Sequence, residues 1–151
     1  MREGTIFTIF RKRAAAVLLG AAAIGPAVTS PAARAACNPD QARSSISYAK
    51  TVEPLLQKYC TPCHLTPEAP EALMFESGVS YFYMVGIPSK ESDLLRVAPG
   101  EPDRSYLIHK IRGTHLEVGG LGERMPFGAP PVTDDEVGLI AAWIKDCSPN
   151  N

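Results

Sequence analysis

The sequence predicts a small all-α domain in which short helices are joined by long irregular loops. Apolar residues recur at helical spacing in two segments, one before residue 60 and one near the C-terminus. Between them, nine prolines and eight glycines interrupt the chain at short intervals, so only short helices fit there. Roughly 115 residues follow the N-terminal leader, which is enough for one domain with one hydrophobic core.

Residues 1–35 have the order of a secretory signal peptide. A basic segment ends at Arg13, an apolar run extends from Ala14 to about Gly25, and small residues end the segment at Ala35. We expect cleavage at 35/36 or 36/37. An uncleaved anchor is the alternative, but a run of about a dozen residues is too short to cross a bilayer.

The leader predicts a mature protein that is soluble and exported, in the periplasm or another oxidising compartment. A lipid anchor at Cys37 is disfavoured because Arg34 stands where an apolar residue would be expected. We divide the mature chain into an N-terminal extension over 36–51 and a domain over 52–148.

Charge separates the leader from the rest of the chain. The whole sequence has 15 basic and 16 acidic residues. The leader carries five bases and one acid, so the part after it is acidic, with ten bases against fifteen acids. This balance excludes a basic nucleic-acid-binding domain and predicts that any charged partner presents a basic face.

The first predicted helix follows residue 51. Val52, Leu55, Leu56 and Tyr59 stand at i, i+3, i+4 and i+7, the spacing of one helix face. Pro54 suits the first turn, where its missing N–H costs nothing. The next stretch, Leu73 to Val97, contains an apolar run at 81–85 that could be a strand or a helical turn.

A second helix is predicted at about Arg104 to Arg112, buried through Leu107, Ile108 and Ile111 and ended by Gly113. Five glycines and three prolines then occupy the stretch from Gly113 to Val132. So much Gly and Pro predicts a loop held by something other than its own hydrogen-bond ladder.

The last predicted helix has an apolar face of four residues: Val137, Ile140, Ala141 and Ile144. Thr133 and Glu136 form a capping box at its start, and Asp134 and Asp135 suit the positive end of the helix dipole. Trp143 lies beside the apolar face, so we expect it to pack against the other helices.

Cys60-Thr61-Pro62-Cys63-His64 directly follows the first predicted helix. This spacing is typical of a c-type haem attachment site, in which two thiols bind the porphyrin and the histidine becomes the proximal iron ligand. A thioredoxin-like pair would need a βαβ pattern, a zinc site would need a second ligand pair, and a disulfide would leave His64 unexplained.

An electron carrier needs a sixth iron ligand, for which a methionine thioether is suited. Met125 is the predicted ligand because it lies in an irregular segment with no helix face to fill, whereas Met74 and Met84 are expected to fill the core. His115 is the rival ligand. We expect His109 on the polar side of its helix.

Together these residues resemble the class I cytochrome c family, over about Val52 to Cys147. The segments at 97–107 and 110–114, with Arg124-Met125-Pro126, look like the planctomycete-type cytochrome c domains. The resemblance implies a cytochrome c fold around one covalently bound haem c, between the N-terminal and C-terminal helices, with His64 and Met125 on opposite faces.

The remaining cysteines, Cys37 and Cys147, depart from that family pattern. They flank the domain, and exported thiols seldom stay free, so we predict a disulfide between them. The alternative is two unpaired thiols.

These observations predict an electron carrier rather than an enzyme: an exported single-haem cytochrome that exchanges electrons with redox protein partners. None of the usual catalytic constellations accompanies the motif. Lys58 and Arg124 supply local positive charge that could orient a partner. The alternatives are a haem enzyme or small-ligand sensor with an open sixth position, and a haem subunit of a larger redox complex.

Overall fold

Four short α-helices and several single turns make up the part of the chain that the computed structural model describes, residues 37–40 and 42–151. The helices are α1 (Glu53–Cys60), α2 (Ser80–Met84), α3 (Tyr106–Arg112) and α4 (Asp134–Lys145). Extended pairing within these residues is limited to isolated bridges. The predicted all-α class is therefore confirmed. The predicted signal peptide lies outside the described residues.

Helix α1 forms where the apolar spacing predicts it. Val52 and Leu56 are buried, while Leu55 and Tyr59 are half-buried against the core. Pro54 lies in the first turn. A single π-helical turn, Tyr48–Val52, precedes the helix and is capped by the side chain of Ser47, so the helical path begins before the predicted start.

Helix α3 starts two residues later than predicted because a separate 3₁₀ turn, Pro102–Arg104, precedes it. The buried Ser105 side chain separates the two, donating to Glu101 O at 2.9 Å and accepting from Ala98 N at 2.9 Å. Gly113 ends the helix in a left-handed conformation with φ of 80°, as predicted.

Helix α4 begins with the predicted capping box, in which Thr133 and Glu136 each bond to the backbone of the other. Its apolar face buries Val137, Ile140 and Ile144. Trp143 is fully buried, and its indole N–H donates to Pro149 O at 2.9 Å. The prediction that Trp143 packs against the other elements is confirmed.

The apolar run at 81–85 lies mostly in helix α2. Of the two alternatives that the spacing left open, a strand and a helical turn, the helical one is therefore correct. The buried Glu53 carboxylate accepts from Ser80 Oγ at 2.7 Å and from Gly78 N at 2.9 Å, which fixes the start of α2 to α1. Val85 leaves the helix and pairs with Val97 in an isolated bridge.

The glycine- and proline-rich loop from Gly113 to Val132 is held largely by side chains of α3 and of the short turn after it. Lys110 Nζ donates to Leu121 O at 2.6 Å, and Tyr106 OH donates to the same oxygen at 3.3 Å. A short 3₁₀ turn, His115–Val118, is the regular part of this loop. The expectation of a loop held without its own ladder is confirmed.

The N-terminal extension is part of the same core rather than a separate piece. Tyr48 is 2% exposed and packs against Trp143, with ring centroids 5.2 Å apart. Ala49 N donates to Asn151 O at 2.9 Å, and Ser44 Oγ donates to Asp146 Oδ2 at 2.7 Å. The predicted boundary at residue 52 therefore does not coincide with a boundary in the packing. In the described part of the chain, no helix has the length and apolar character needed to cross a membrane.

Candidate functional site

The Cys60–His64 turn continues the hydrogen bonding of α1 for one more turn. Cys63 N donates to Cys60 O at 3.1 Å, and His64 N donates to the same oxygen at 3.0 Å. Residues at i, i+3 and i+4 of a helical turn lie on one side of it. The two thiols and the imidazole are therefore brought together by local structure, on one side of the end of α1.

Both motif thiols are unpaired, and they differ in exposure. Cys63 is exposed, whereas Cys60 is half-buried at the edge of the core. Burial raises the pKa of the Cys60 thiol to about 12, and the charge of Cys63 adds to the shift. A nucleophilic redox cysteine needs a lowered pKa, so Cys60 is poorly suited to that role.

His64 is held in one orientation by a backbone carbonyl. Its side chain is buried, and Nδ1 lies 2.9 Å from Leu73 O. Because a carbonyl only accepts, Nδ1 carries a proton in this hydrogen bond. The ring also packs edge-on against Phe75 at 5.7 Å. This orientation leaves Nε2 as the ring nitrogen of His64 that could bind a metal.

Met125 lies on a different part of the fold from the Cys60–His64 turn. It is half-buried, and its backbone N–H donates to Lys110 O at 3.0 Å, which fixes it to α3. The contacts of the described residues do not join it to His64, so its role as sixth ligand stays a prediction. Met74 and Met84 are buried, as expected of methionines that fill the interior.

The other two histidines differ in how many of their ring nitrogens form hydrogen bonds. His109 Nε2 donates to Asp103 O at 2.9 Å and Nδ1 pairs with Thr114 Oγ1 at 2.9 Å, so both nitrogens are used. His115 is 4% exposed and its Nε2 donates to Gly122 O at 2.9 Å. Its Nδ1 is buried without a hydrogen-bond partner among the described residues. His115 could ligate a metal only through that buried nitrogen.

Large apolar side chains are unusually exposed around the motif and in the loop that carries Met125. Leu65, which directly follows His64, is 50% exposed, and Leu116, Leu121 and Phe127 are 64% to 71% exposed. Exposed apolar surface of this kind commonly marks a place that a ligand or partner covers. The sequence carries a signal for it, since these residues stand in a loop with no helix face to fill.

Lys58 does not supply a free positive charge, which corrects the role suggested for it above. Its Nζ lies 2.9 Å from Glu136 Oε1, and Tyr59 OH donates to the other oxygen of that carboxylate at 2.7 Å. These bonds, with one from Thr133, lower the pKa of Glu136 to about 2. Arg124 is half-buried with its methylenes against Gly113.

Cys37 and Cys147 lie at disulfide distance, with Cα atoms 5.3 Å apart across 110 positions of sequence. This supports the predicted bridge.

The residues present fit a covalently bound haem better than a zinc ion. Among the described residues, no group of three or more His, Cys, Asp or Glu side chains is arranged to hold a metal ion. A covalently bound haem would use two free thiols and one histidine nitrogen on the same side of a turn, and Cys60, Cys63 and His64 are residues of these types. A cavity of about 410 Å³ between segments 89–93 and 118–121 contains none of these residues.

Fold and site define a small all-α domain with a Cys-x-x-Cys-His turn at the end of its first helix. Comparisons with protein-family models, curated proteins and solved structures found no match to the chain.

Proposed function

We propose that the protein is an exported single-haem c-type cytochrome that carries electrons between redox partners, with its helices arranged in a cytochrome c fold. The observation that carries the proposal is His64. Its Nδ1–H is bonded to Leu73 O, which leaves the Nε2 lone pair available beside two free thiols. We place the mature protein in the periplasm or a similar exported compartment, on the basis of the leader.

In this proposal Cys60 and Cys63 would hold the porphyrin covalently through two thioethers. His64 Nε2 and Met125 would bind its iron. When bound, the haem supplies one-electron chemistry by alternating between Fe(II) and Fe(III). The protein needs no catalytic acid, base or nucleophile for that role.

The exposed apolar side chains support the proposal by their positions. Leu65 adjoins the proximal histidine, and Leu116, Leu121 and Phe127 share a loop with the proposed distal ligand. A flat apolar macrocycle held at the Cys60–His64 turn would cover such side chains and exclude water from them.

The partner is proposed to be a redox protein with a basic docking face. The chain after the leader carries five more acids than bases. Asp134 and Asp135 are exposed at the start of α4, and their neighbour Glu136 contacts the end of α1. Lys58 and Glu136 neutralise each other, so Asp134 and Asp135 make this surface near the motif acidic. Electron-transfer complexes of this kind have small interfaces and short lifetimes.

Expression of the full chain in a host that exports and attaches haem c tests the assignment. We expect covalent haem on the wild type, one thioether fewer in Cys60→Ala and in Cys63→Ala, and loss of the proximal ligand in His64→Ala. Cys37→Ser is the matched control and should keep its haem. Wild-type protein without covalent haem would overturn the proposal.

The distal ligand is tested separately, because Met125 is fixed to α3 rather than to the motif. We expect Met125→Ala to change the spectrum of the holoprotein and to open the sixth position to carbon monoxide. An unchanged spectrum would remove Met125 from the site. Rapid, tight carbon monoxide binding by the reduced wild type would favour the sensor or enzyme alternative instead.

A further inference from the structure

Arg96 is a buried arginine that forms no ion pair within the described part of the chain. The residue is 8% exposed. Its guanidinium binds backbone carbonyls, and none of the ion pairs among the described residues includes it. Nη2 donates to Glu71 O at 2.6 Å, and Nη1 donates to Tyr83 O at 2.7 Å and to Ala72 O at 3.5 Å. Burying a guanidinium in this way is costly, and desolvation lowers the pKa of Arg96.

Two of the three carbonyls that Arg96 binds, those of Glu71 and Ala72, belong to a strained turn, while the third, Tyr83 O, lies in α2. Glu71 has φ of 60° and Ala72 has φ of 48°, both in the left-handed region although neither residue is glycine. The left-handed conformation is unfavourable for residues that carry a Cβ. Two hydrogen bonds from one guanidinium, to two successive carbonyls, stabilise this conformation against its alternatives.

This turn leads directly into the residues that hold the motif. Leu73, the next residue, supplies the carbonyl that fixes His64 Nδ1. Phe75 N donates to His64 O at 2.7 Å, and Thr61 Oγ1 donates to Phe75 O at 3.2 Å. The segment at 71–75 therefore bonds to Arg96 at one end and to the Cys60–His64 turn at the other.

We infer that Arg96 is a positioning residue for the proximal histidine: it locks the turn at Glu71 and Ala72 so that Leu73 O stays bonded to His64 Nδ1. The inference rests on the proposed function. A carbonyl bonded to the Nδ1–H of an axial histidine raises the basicity of the ligating nitrogen. Since a more basic ligand favours Fe(III), Arg96 holds the reduction potential below the value that a loosely bound His64 would give.

Arg96→Lys is the decisive variant because it keeps the positive charge but cannot bridge two carbonyls with a planar fork. In the reduced holoprotein, we expect the His64 Nδ1 proton, followed by NMR, to exchange with solvent about tenfold faster or more than in the wild type. We also expect the reduction potential to move upward. Arg104→Lys is the matched control, an exposed arginine paired with Glu101, and should change neither quantity.

The outcomes separate the inference from the proposed function. If Arg96→Lys has the same His64 Nδ1 proton exchange rate and the same reduction potential as the wild type, the positioning role is overturned. This holds even if Arg96→Met, which removes the charge, differs from the wild type, because only the positive charge would then matter. A wild type without covalent haem would instead be a failure of the proposed function.

A rescue variant covers the case in which Arg96→Lys does not fold. Glycine adopts the left-handed region without penalty, so Glu71→Gly with Ala72→Gly should make the turn less dependent on Arg96. We expect the two glycines to return the exchange rate of Arg96→Lys towards that of the wild type. If they restore neither the folded holoprotein nor the slow exchange, the turn is not the link between Arg96 and His64.

Discussion

Glu136 has two structural roles at once, one local and one between helices. It completes the capping box of α4 by accepting from Thr133 N at 3.1 Å. The same carboxylate accepts from Tyr59 OH and Lys58 Nζ, which lie just before Cys60 at the end of α1. A single ionised side chain therefore fixes the start of the last helix against the helix that ends in the Cys60–His64 turn.

We predict that Glu136 makes stability dependent on pH in the acid range. Its pKa is about 2 in the folded protein and near 4.5 when unpaired. Because the folded pKa is the lower one, the stabilisation is fully present above pH 4.5 and is lost as pH falls towards 2. Glu136→Gln should be less stable than the wild type at pH 7 and should lose less stability on acidification.

Denaturant unfolding of both proteins at pH 7, 4 and 2.5 measures this difference, with the exposed Glu117→Gln as control. Parallel pH profiles for the wild type and Glu136→Gln would contradict the predicted coupling.

At the scale of single elements, helix α3 is set by its ends as much as by its apolar face. Its C-terminus closes when the N–H groups of Gly113 and Thr114 both donate to His109 O. Gly113 has φ of 80°, and a Cβ placed there would lie 2.9 Å from Arg124 Cδ. The chain turns here into the loop that carries Met125, so the position of that loop depends on the end of α3.

We predict opposite effects for alanine at two glycines that differ in backbone conformation. Gly113→Ala should destabilise the protein by about 1 to 2 kcal/mol, because it places a side chain in the left-handed region. Gly138→Ala should stabilise it by up to about 1 kcal/mol, since that glycine lies exposed within α4 with nothing near its Cβ. Urea unfolding of the two variants beside the wild type measures both effects, and a shift of the same sign in both would refute this account.

For the molecule as a whole, the two ends of the described chain are fastened together. The Cys37–Cys147 pair, the Ser44–Asp146 hydrogen bond and the backbone bond from Ala49 to Asn151 all join residues about a hundred positions apart. Tyr48 and Trp143 pack together beneath these contacts. The site therefore lies within a closed loop of chain whose two ends are joined by these contacts.

We predict that removing the bridge lowers stability without changing the site. In the chain-entropy model, a closed loop of this length contributes about 4 to 5 kcal/mol. The Cys37→Ser, Cys147→Ser double variant should unfold at a markedly lower urea concentration than the oxidised wild type, with the same haem content and visible spectrum. Equal unfolding midpoints would contradict the predicted contribution of the bridge.

Much of the helical structure and the local geometry of the Cys60–His64 turn could be predicted because the signals are local. Helix α4 follows from an apolar repeat and a capping box within twelve residues, and the end of α3 follows from one glycine. The arrangement of Cys60, Cys63 and His64 needs only the geometry of one helical turn. The run at 81–85 could not be assigned, because Glu53, far away in sequence, fixes the start of α2.

By itself, the sequence determined the all-α class, the helices with clear periodicity and the place of the cysteine–histidine turn, since each depends on residues within a few positions of one another. Only the tertiary structure decided how His64 is oriented, why Lys58 is not a free charge and what Arg96 binds. Those features depend on Leu73, Glu136 and the turn at Glu71, which folding brings close to their partners. Every residue has a backbone carbonyl, so the sequence does not show which carbonyl accepts a given hydrogen bond. The physical reason is that local spacing encodes helices, whereas hydrogen bonds between distant segments are fixed only when the core closes.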